Sequence, residues 1–354
     1  MHHEKQPEMS ANIDDPDSWH FWGLVDDELR QMIQENVPRR FPPVDVSKLT
    51  SIREAWVEGM TRDMLTPLEA AKNKVSFSEI LIPRRDGTTG RALVFRPKVT
   101  TALEAPAVVL LHGGGFLFGS AEMEATACIE ATKAHGCVSL SLDYRLSPEA
   151  KFPVAYEDCW DALHWLTENA EVLGADLTKG FVLGGTSSGG QMAAALSHMA
   201  RDQSLSPSLT GVYLNATSIV QPDAVPTKYR CWYRSNDEND GKTGLSKKTT
   251  AVFRAAVAPD IQSDFWNPLN WSTGHEALPP TYFQVCGADI QRDDGLVYER
   301  VLRHEHGLKI KLDIYSGLPH VFWYLYPSHS MCEKFRNDRM LGLGWLLNQG
   351  SRSA

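Results

Sequence analysis

The residues best suited to chemistry are a serine and the glycines on either side of it. The heptapeptide Gly184-Gly185-Thr186-Ser187-Ser188-Gly189-Gly190 follows a short apolar run and precedes small, helix-prone residues. A Gly-x-Ser-x-Gly sequence between a strand and a helix holds its serine in a sharp turn, where the glycines let the two elements pass closely. Ser187 is therefore the candidate nucleophile. The same pattern also fits a Gly/Ser-rich helix entry without a reactive serine.

Backbone N–H groups near this serine are candidates for stabilising an oxyanion. Ser188 does not fit the nucleophile position, because Thr186 rather than glycine stands two residues before it, but its N–H is well placed. Gly114 and Gly115 lie in a loop after the apolar run 107–111, and no side chain obstructs their N–H groups. Together the three residues predict a three-donor oxyanion hole.

An acid and a base follow later in the chain, each just after a predicted strand. Asp289 follows the strand predicted over 281–286, and His320 follows the strand predicted over 310–315. Serine chemistry needs a base for the hydroxyl proton and an acid that orients the base, so we expect both side chains to meet Ser187. Asp293 and Asp294 are expected to cap the helix that starts there.

The elements that position these residues alternate between strand and helix after residue 105. Continuous apolar runs predict central strands covered on both faces, and helical patterns separate them. This alternation predicts an α/β fold with a mostly parallel central sheet flanked by helices. The strands are predicted at 75–82, 91–95, 107–111, 138–142, 181–183, 211–214, 281–286 and 310–315.

Two segments fall outside this alternation. The first is a pair of predicted helices, the aromatic-rich residues 19–37 and a segment from Val46 to just before Pro67. This pair has more apolar surface than a free-standing helix pair would need, so we expect it to pack against the rest of the protein. Residues 219–262 contain a polar loop and a short helix inside the sheet-forming part. We expect residues 1–70 and this insertion to form a helical cap over a catalytic domain that spans 71–354.

Five ordered motifs resemble the hormone-sensitive-lipase family of α/β-hydrolases, whose members include microbial, plant and fungal carboxylesterases. The motifs are His112-Gly113-Gly114-Gly115-Phe116, Asp143 to Glu149 with Phe152-Pro153, Gly185 to Gly190, Asp289 to Gly295, and Gly317 to Phe322. The resemblance covers about residue 75 to the C-terminus. It implies Ser187 as nucleophile, His320 as base, Asp289 as acid, and Gly114, Gly115 and Ser188 as oxyanion donors. It also implies a helical cap.

The chain departs from the family pattern beside the nucleophile. Thr186 stands where members usually have Asp, Ser188 where they have Ala, and Ile290-Gln291 where they have Pro-Leu. The first change removes a charge and leaves the rate and pH optimum open. The other two are expected to alter packing only. The aromatic-rich cap is similar to that of fungal members that act on secondary metabolites.

Composition excludes several other classes of protein. The 354 residues carry a formal net charge of −9 without a clustered basic face, which argues against nucleic acid or an anionic membrane as partner. The N-terminus lacks an apolar signal core, so a cytoplasmic location is expected. Six scattered cysteines predict free thiols, and no Cys/His spacing predicts a metal site. A homodimer is compatible with the sequence.

The residues and the resemblance together predict a serine carboxylesterase that acts through an acyl-enzyme on small to medium apolar or aromatic esters, without a cofactor. A second reading keeps the acyl-enzyme but transfers the acyl group to an alcohol or opens a lactone of a polyketide-type metabolite. A third is a non-catalytic ligand receptor of the same fold. Such receptors lack the histidine, whereas His320 is present here.

Overall fold

The central element of the fold is one sheet of eight strands. The computed structural model describes residues 11–35, 48–98, 105–242 and 244–350. In these ranges the strand order is β1-β2-β4-β3-β5-β6-β7-β8; β1 pairs antiparallel with β2 and β2 with β4, and the remaining pairs are parallel. The strands are β1 Val75–Pro83, β2 Thr89–Pro97, β3 Ala107–Leu111, β4 Val138–Leu142, β5 Phe181–Thr186, β6 Gly211–Asn215, β7 Thr281–Cys286 and β8 Ile310–Tyr315. The predicted α/β fold with a mostly parallel sheet is confirmed.

Helices cover both faces of the sheet. They are α1 Asp27–Glu35, α2 Leu49–Ala71, α3 Glu122–His135, α4 Val154–Asn169, α5 Ser188–Asp202, α6 Ser235–Glu238, α7 Lys247–Val257, α8 Arg292–Arg300, α9 Phe322–Leu325 and α10 Met331–Gly350. Side chains of β3 alternate between two cores: Val109 and Leu111 pack with α4, α5 and α8, whereas Val108 and Leu110 pack with α3 and α10. Burial on both faces explains the uninterrupted apolar run of this strand. Among the described residues, no helix combines the length and apolar character needed to cross a bilayer.

The boundary predicted for the second helix is wrong at its C-terminal end. Helix α2 continues through Pro67 and ends at Ala71. Proline removes one backbone donor and usually ends a helix, but Met60 and Met64 before it and Ala71 after it are buried. Packing of this face on the body of the protein therefore outweighs the local cost of the proline.

The N-terminal segment packs beneath the loops that follow β7 and β8. A 3-10 helix, Pro16–Gly23, contributes the buried Trp19 to the main core. The Trp22 carbonyl accepts a hydrogen bond from Gly317 N–H at 2.8 Å, and Asp26 N–H donates to the Gly317 carbonyl at 3.2 Å. This segment therefore fixes the loop that leads to His320. Residues 1–10 and 36–47 of the predicted cap, with the predicted helix end at Val37-Pro38, lie outside the described residues.

The predicted insertion belongs to a longer excursion between β6 and β7, residues 216–280. It contains α6, α7 and several 3-10 turns. Asp294 accepts hydrogen bonds from Ile219 N–H at 2.7 Å and Val220 N–H at 3.1 Å, and Asp293 accepts from Ser235 N–H at 2.6 Å. The expectation that Asp293 and Asp294 cap α8 is wrong, because their carboxylates bind the backbone of the excursion instead.

Two histidines are buried against each other between α5 and the end of the excursion. His198 Nε2 lies 2.8 Å from His275 Nδ1, and the other ring nitrogens face the Ala194 and Leu269 carbonyls. Burial lowers the pKa of His198 to about 3 and the pKa of His275 to about 4. Both rings are therefore neutral in the folded protein at neutral pH.

This pair is expected to make the fold acid-sensitive. An unfolded histidine has a pKa near 6.5 and gains a proton below it, while the folded rings stay neutral until about pH 4 and 3. Because the unfolded chain binds more protons, each ring should lower the free energy of unfolding by about 1.4 kcal/mol per pH unit below about pH 6.5. Urea unfolding of the wild type and His198→Gln between pH 7 and 5 measures this. His198→Gln should lose less free energy of unfolding on acidification than the wild type does. His20→Gln, which changes an exposed histidine, is the control and should behave like the wild type. If the free energy of unfolding falls equally with pH in all three proteins, the buried histidine pair is not the cause of the acid sensitivity.

Candidate active site

Ser187 occupies the turn between β5 and α5 in a backbone conformation that non-glycine residues rarely adopt. Its φ is 55° and its ψ −116°. A Cβ at Gly189 would lie 2.0 Å from the Leu111 carbonyl oxygen, and one at Gly185 would lie 2.4 Å from the Gly189 carbonyl carbon. Only glycine fits at these two positions, since β3, β5 and α5 meet at van der Waals distance. The Ser187 N–H donates to the Asn215 carbonyl at 2.8 Å, which ties the turn to the end of β6.

The structure brings the three predicted triad side chains into one hydrogen-bonded line. His320 Nε2 lies 2.9 Å from Ser187 Oγ, and His320 Nδ1 lies 2.6 Å from Asp289 Oδ2. Asp289 Oδ1 accepts the Gln291 N–H at 3.0 Å, so both carboxylate oxygens are held. All three residues are buried and follow the carboxyl ends of β5, β7 and β8. This arrangement can pass the serine proton to the imidazole and stabilise the resulting imidazolium.

The predicted oxyanion donors line the same pocket as Ser187, two in the loop after β3 and one at the start of α5. Gly114 N–H has no protein acceptor in the described part of the chain, and the Ser188 N–H belongs to the first turn of α5, where intrahelical partners are lacking. Gly115 N–H, in contrast, donates to Ser188 Oγ at 3.1 Å. The expectation that the Ser188 side chain alters packing only is therefore wrong, because its hydroxyl occupies one predicted donor.

His112 and Tyr144 support the glycine loop, residues 113–115. The two rings stack with centroids 4.1 Å apart, and the Tyr144 hydroxyl donates to the His112 carbonyl at 2.7 Å. Burial lowers the pKa of His112, whose Nδ1–H donates to the Gly113 carbonyl at 2.7 Å. His112 therefore holds the loop as a neutral ring.

Ser187 opens into a pocket with a cavity volume of about 280 Å³. Trp56 of α2 lines it from one side, and Phe253 of α7 and Trp266 line it from another. Helix α2 is joined to the glycine loop, since Arg53 Nε donates to the Leu117 carbonyl at 2.7 Å. Of the aromatic side chains predicted to cover the site, Trp56 lines the pocket, whereas Trp19 is buried in the core and the half-buried Trp22 packs against it.

One group of side chains has the composition of a cation site. Asp26, Glu28 and His329 bring their ligand atoms within 4.8 Å of one another. His329 Nε2 is hydrogen-bonded to Asp26 at 3.1 Å, and Glu28 accepts from Ser330 N–H at 2.9 Å. None of the three lines the pocket at Ser187. These contacts join α1 to the loop before α10.

The fold and the site define the class of protein. A family model described as the alpha/beta hydrolase fold matches residues 108–324, so the chain belongs to this family, in its hormone-sensitive-lipase-type branch. An AB hydrolase superfamily protein of Schizosaccharomyces pombe is 35% identical over 326 residues, 92% of this chain and 94% of that protein. The versiconal hemiacetal acetate esterase of Dothistroma septosporum is 31% identical over 242 residues, 67% of this chain and 72% of that enzyme.

Solved structures agree with this assignment. Vibralactone cyclase superposes with a TM-score of 0.85 at 27% identity, covering 93% of this chain and 97% of that one. The esterase of Pyrobaculum calidifontis superposes with a TM-score of 0.73 at 29% identity, covering 90% and 97%. The esterases among these relatives support an ester-hydrolase activity.

The sequence did not identify every residue that shapes the site. The Ser188 hydroxyl and the Gly115 N–H lie 73 positions apart, and no local pattern predicts their contact. Asn239 of the excursion donates through Nδ2 to the Asp289 carbonyl at 2.9 Å and was equally unexpected. The high polarity of residues 235–242 is the available signal, but polarity alone predicts only a loop.

The assignment of the acid can be tested by comparing two neighbouring aspartates. Asp289→Asn should preserve the geometry but favour the wrong imidazole tautomer, and it should lower kcat by about 10⁴. Asp293 is also fully buried, but its carboxylate contacts Arg292 and backbone N–H groups of the excursion. Asp293→Asn should therefore lower the melting temperature while costing much less in kcat. Steady-state kinetics and thermal melts of both variants give the comparison, and the reverse ranking in kcat would show that the acid is misassigned.

Proposed function

We propose that this protein is a serine carboxylesterase that hydrolyses small to medium apolar or aromatic esters through an acyl-enzyme. The observation that carries the proposal is the hydrogen-bonded line Ser187–His320–Asp289, buried at the end of a largely apolar pocket. Serine and histidine at 2.9 Å, with the histidine held by a carboxylate, are the groups that nucleophilic attack on an ester requires.

In the acylation step, Ser187 Oγ attacks the ester carbonyl carbon while His320 Nε2 takes the hydroxyl proton. The negative charge that develops on the carbonyl oxygen is stabilised by the N–H groups of Gly114 and Ser188. If the hydrogen bond from Gly115 N–H to Ser188 Oγ breaks, this N–H becomes a third donor to the oxyanion. Collapse of the tetrahedral intermediate breaks the bond to the alcohol oxygen, which receives the proton from His320.

Deacylation uses the same groups in the reverse order. Water donates a proton to His320 Nε2 and attacks the acyl carbon, the oxyanion forms again in the same hole, and the proton returns to Ser187 Oγ as the acid leaves. The Asp289 carboxylate accepts from His320 Nδ1–H in both half-reactions and so stabilises the imidazolium. No metal or organic cofactor enters these steps.

Helix α2 and the excursion 216–280 form the cap in this proposal. Trp56 lies with its ring centroid 5.3 Å from Phe118, which in turn lies 6.0 Å from Phe253 of α7. These rings bring the two cap segments together next to the glycine loop. Residues 16–35, which the sequence predicts as part of the cap, contribute no side chain to the pocket lining, and in this proposal they support the loop that leads to His320.

In a second candidate function, a hydroxyl group takes the place of water as the nucleophile in deacylation. The neighbour with the TM-score of 0.85 is named a vibralactone cyclase, and a hydroxyl group within the acyl chain would form a lactone by attacking the acyl-enzyme. The same groups could transfer the acyl group to a separate alcohol or open a lactone with water. Product analysis with a hydroxy-acyl ester distinguishes the free acid from the lactone.

The size of the pocket predicts selection by chain length. A cavity of about 280 Å³ lies at the small end of ligand sites, which usually span roughly 300–1,000 Å³. We expect p-nitrophenyl esters of about two to six acyl carbons to react faster than longer ones. Truncating Trp56 should enlarge the pocket and raise kcat/KM for the decanoate relative to the butyrate by about tenfold. Release of p-nitrophenol measures both ratios.

Trp165 provides a matched control, because it is also half-buried but lies on α4 outside the pocket. Trp165→Ala should keep the wild-type chain-length profile. An unchanged profile in Trp56→Ala would show that α2 does not limit the acyl chain, and the complete absence of p-nitrophenol release from any ester would contradict the esterase proposal.

A further inference from the structure

The side chains that line the pocket around Ser187 fall into two groups of different chemistry. Aromatic rings of Phe116, Phe253 and Trp266 form one group, and the first and last of them have centroids 5.5 Å apart. The second group lies where α2, α3 and α10 meet and is rich in ionisable side chains. Its members are Asp63, Glu122, Glu124, Arg336 and Arg339.

Two of these ionisable residues are buried where they line the pocket. Glu122 is already engaged, since both its carboxylate oxygens accept from Arg91 at 2.7 and 2.8 Å. Asp63 and Arg336 are exposed. Glu124 and Arg339, in contrast, are 5% and 6% exposed, and both line the pocket.

Glu124 lines the same pocket as Ser187. Thr186, one residue before Ser187, lines the pocket together with Glu124, and Arg339 interacts electrostatically with the Glu124 carboxyl group. Burial raises the pKa of Glu124. A buried carboxyl group accepts hydrogen bonds readily and is costly to leave without partners.

Arg339 brings donors to the same place, but its charge is already balanced. One guanidinium nitrogen, Nη2, lies 2.6 Å from Glu130 Oε2. Its Nε has no acceptor within the part of the chain that the structure describes. A guanidinium has five N–H donors and no acceptor, so Arg339 retains donors after it has paired with Glu130.

We propose that the side of the pocket formed by α2, α3 and α10 binds a hydroxyl group of the ester, whose O–H donates to Glu124 and whose oxygen accepts from Arg339. The substrate is then an ester with one aromatic or apolar half and one hydroxylated half. A neutral hydroxyl fits better than a carboxylate, because Glu130 neutralises Arg339 and Glu124 would repel a second anion. This inference rests on the proposed esterase function.

Two pairs of esters test this inference, with the hydroxyl on either side of the ester bond. Benzyl 6-hydroxyhexanoate is compared with benzyl hexanoate, and 4-hydroxybutyl benzoate with butyl benzoate. In the wild type, at least one pair should show a kcat/KM about tenfold or more in favour of the hydroxylated ester, since a buried site that pairs with a hydroxyl rejects the analogue without it. Chromatographic quantification of the released acid measures the rates.

Variants connect the preference to Glu124. Glu124→Met keeps the length of the side chain but removes its hydrogen-bonding group, so the ratio should fall to near one, and Glu124→Gln should give an intermediate ratio. Glu299→Met is the matched control, because Glu299 is buried on α8 outside the pocket and should keep the wild-type ratio.

Several results would overturn the inference. The first is a kcat/KM ratio of hydroxylated to plain ester near one for both pairs in the wild type. The second is an undiminished ratio in Glu124→Met. The third is faster hydrolysis of benzyl hydrogen adipate, which carries a carboxylate, than of either hydroxylated ester. The wild-type ratios decide the question even if Glu124→Met fails to fold. If the wild type hydrolyses p-nitrophenyl acetate without any hydroxyl preference, only this inference fails. If it hydrolyses none of these esters, the esterase function fails with it.

Discussion

The close approach of β3, β5 and α5 is the constraint on which the site depends. Leu111 of β3 leaves no room for a side chain at Gly189, and the first turn of α5 leaves none at Gly185. In the turn between these crowded elements, Ser187 has a φ of 55°. Such a conformation costs about 1–3 kcal/mol and persists only where the surroundings determine it. Here the parallel pairing of β5 with β3 and β6 provides that support.

The partners of Ser187 are positioned by parts of the chain that are distant in sequence. The loop before His320 is held by the Trp22 carbonyl, and the Asp289 backbone is held by Asn239 of the excursion. Asp294 in turn fixes the start of the excursion through Ile219 and Val220. The same segments that border the pocket therefore also orient the groups beside the serine. A substitution in the excursion can change substrate selection and catalytic geometry together.

Local patterns predicted most of the fold and the central side chains. The predicted bounds of β3, β4, β7 and β8 match the structure. The first three strands are buried along their whole length, whereas β8 is mostly half-buried and alternates apolar with polar residues. Pro67 misled the helix prediction because tertiary packing outweighed a local rule. The contact of Ser188 with Gly115 and the cluster of Glu124 with Arg339 could not be predicted, because they join residues that only the folded sheet brings together.

The proposed mechanism requires that Ser187 becomes acylated. Brief reaction with a fluorophosphonate, followed by mass spectrometry of the intact protein and its peptides, tests this most directly. One phosphonyl group per chain, located on Ser187 and absent from Ser187→Ala, is the expected result, together with complete loss of ester hydrolysis. Inhibition of the wild type with the label on Ser188 or on any other residue except Ser187 would contradict the mechanism. Full activity in Ser187→Ala would also contradict it.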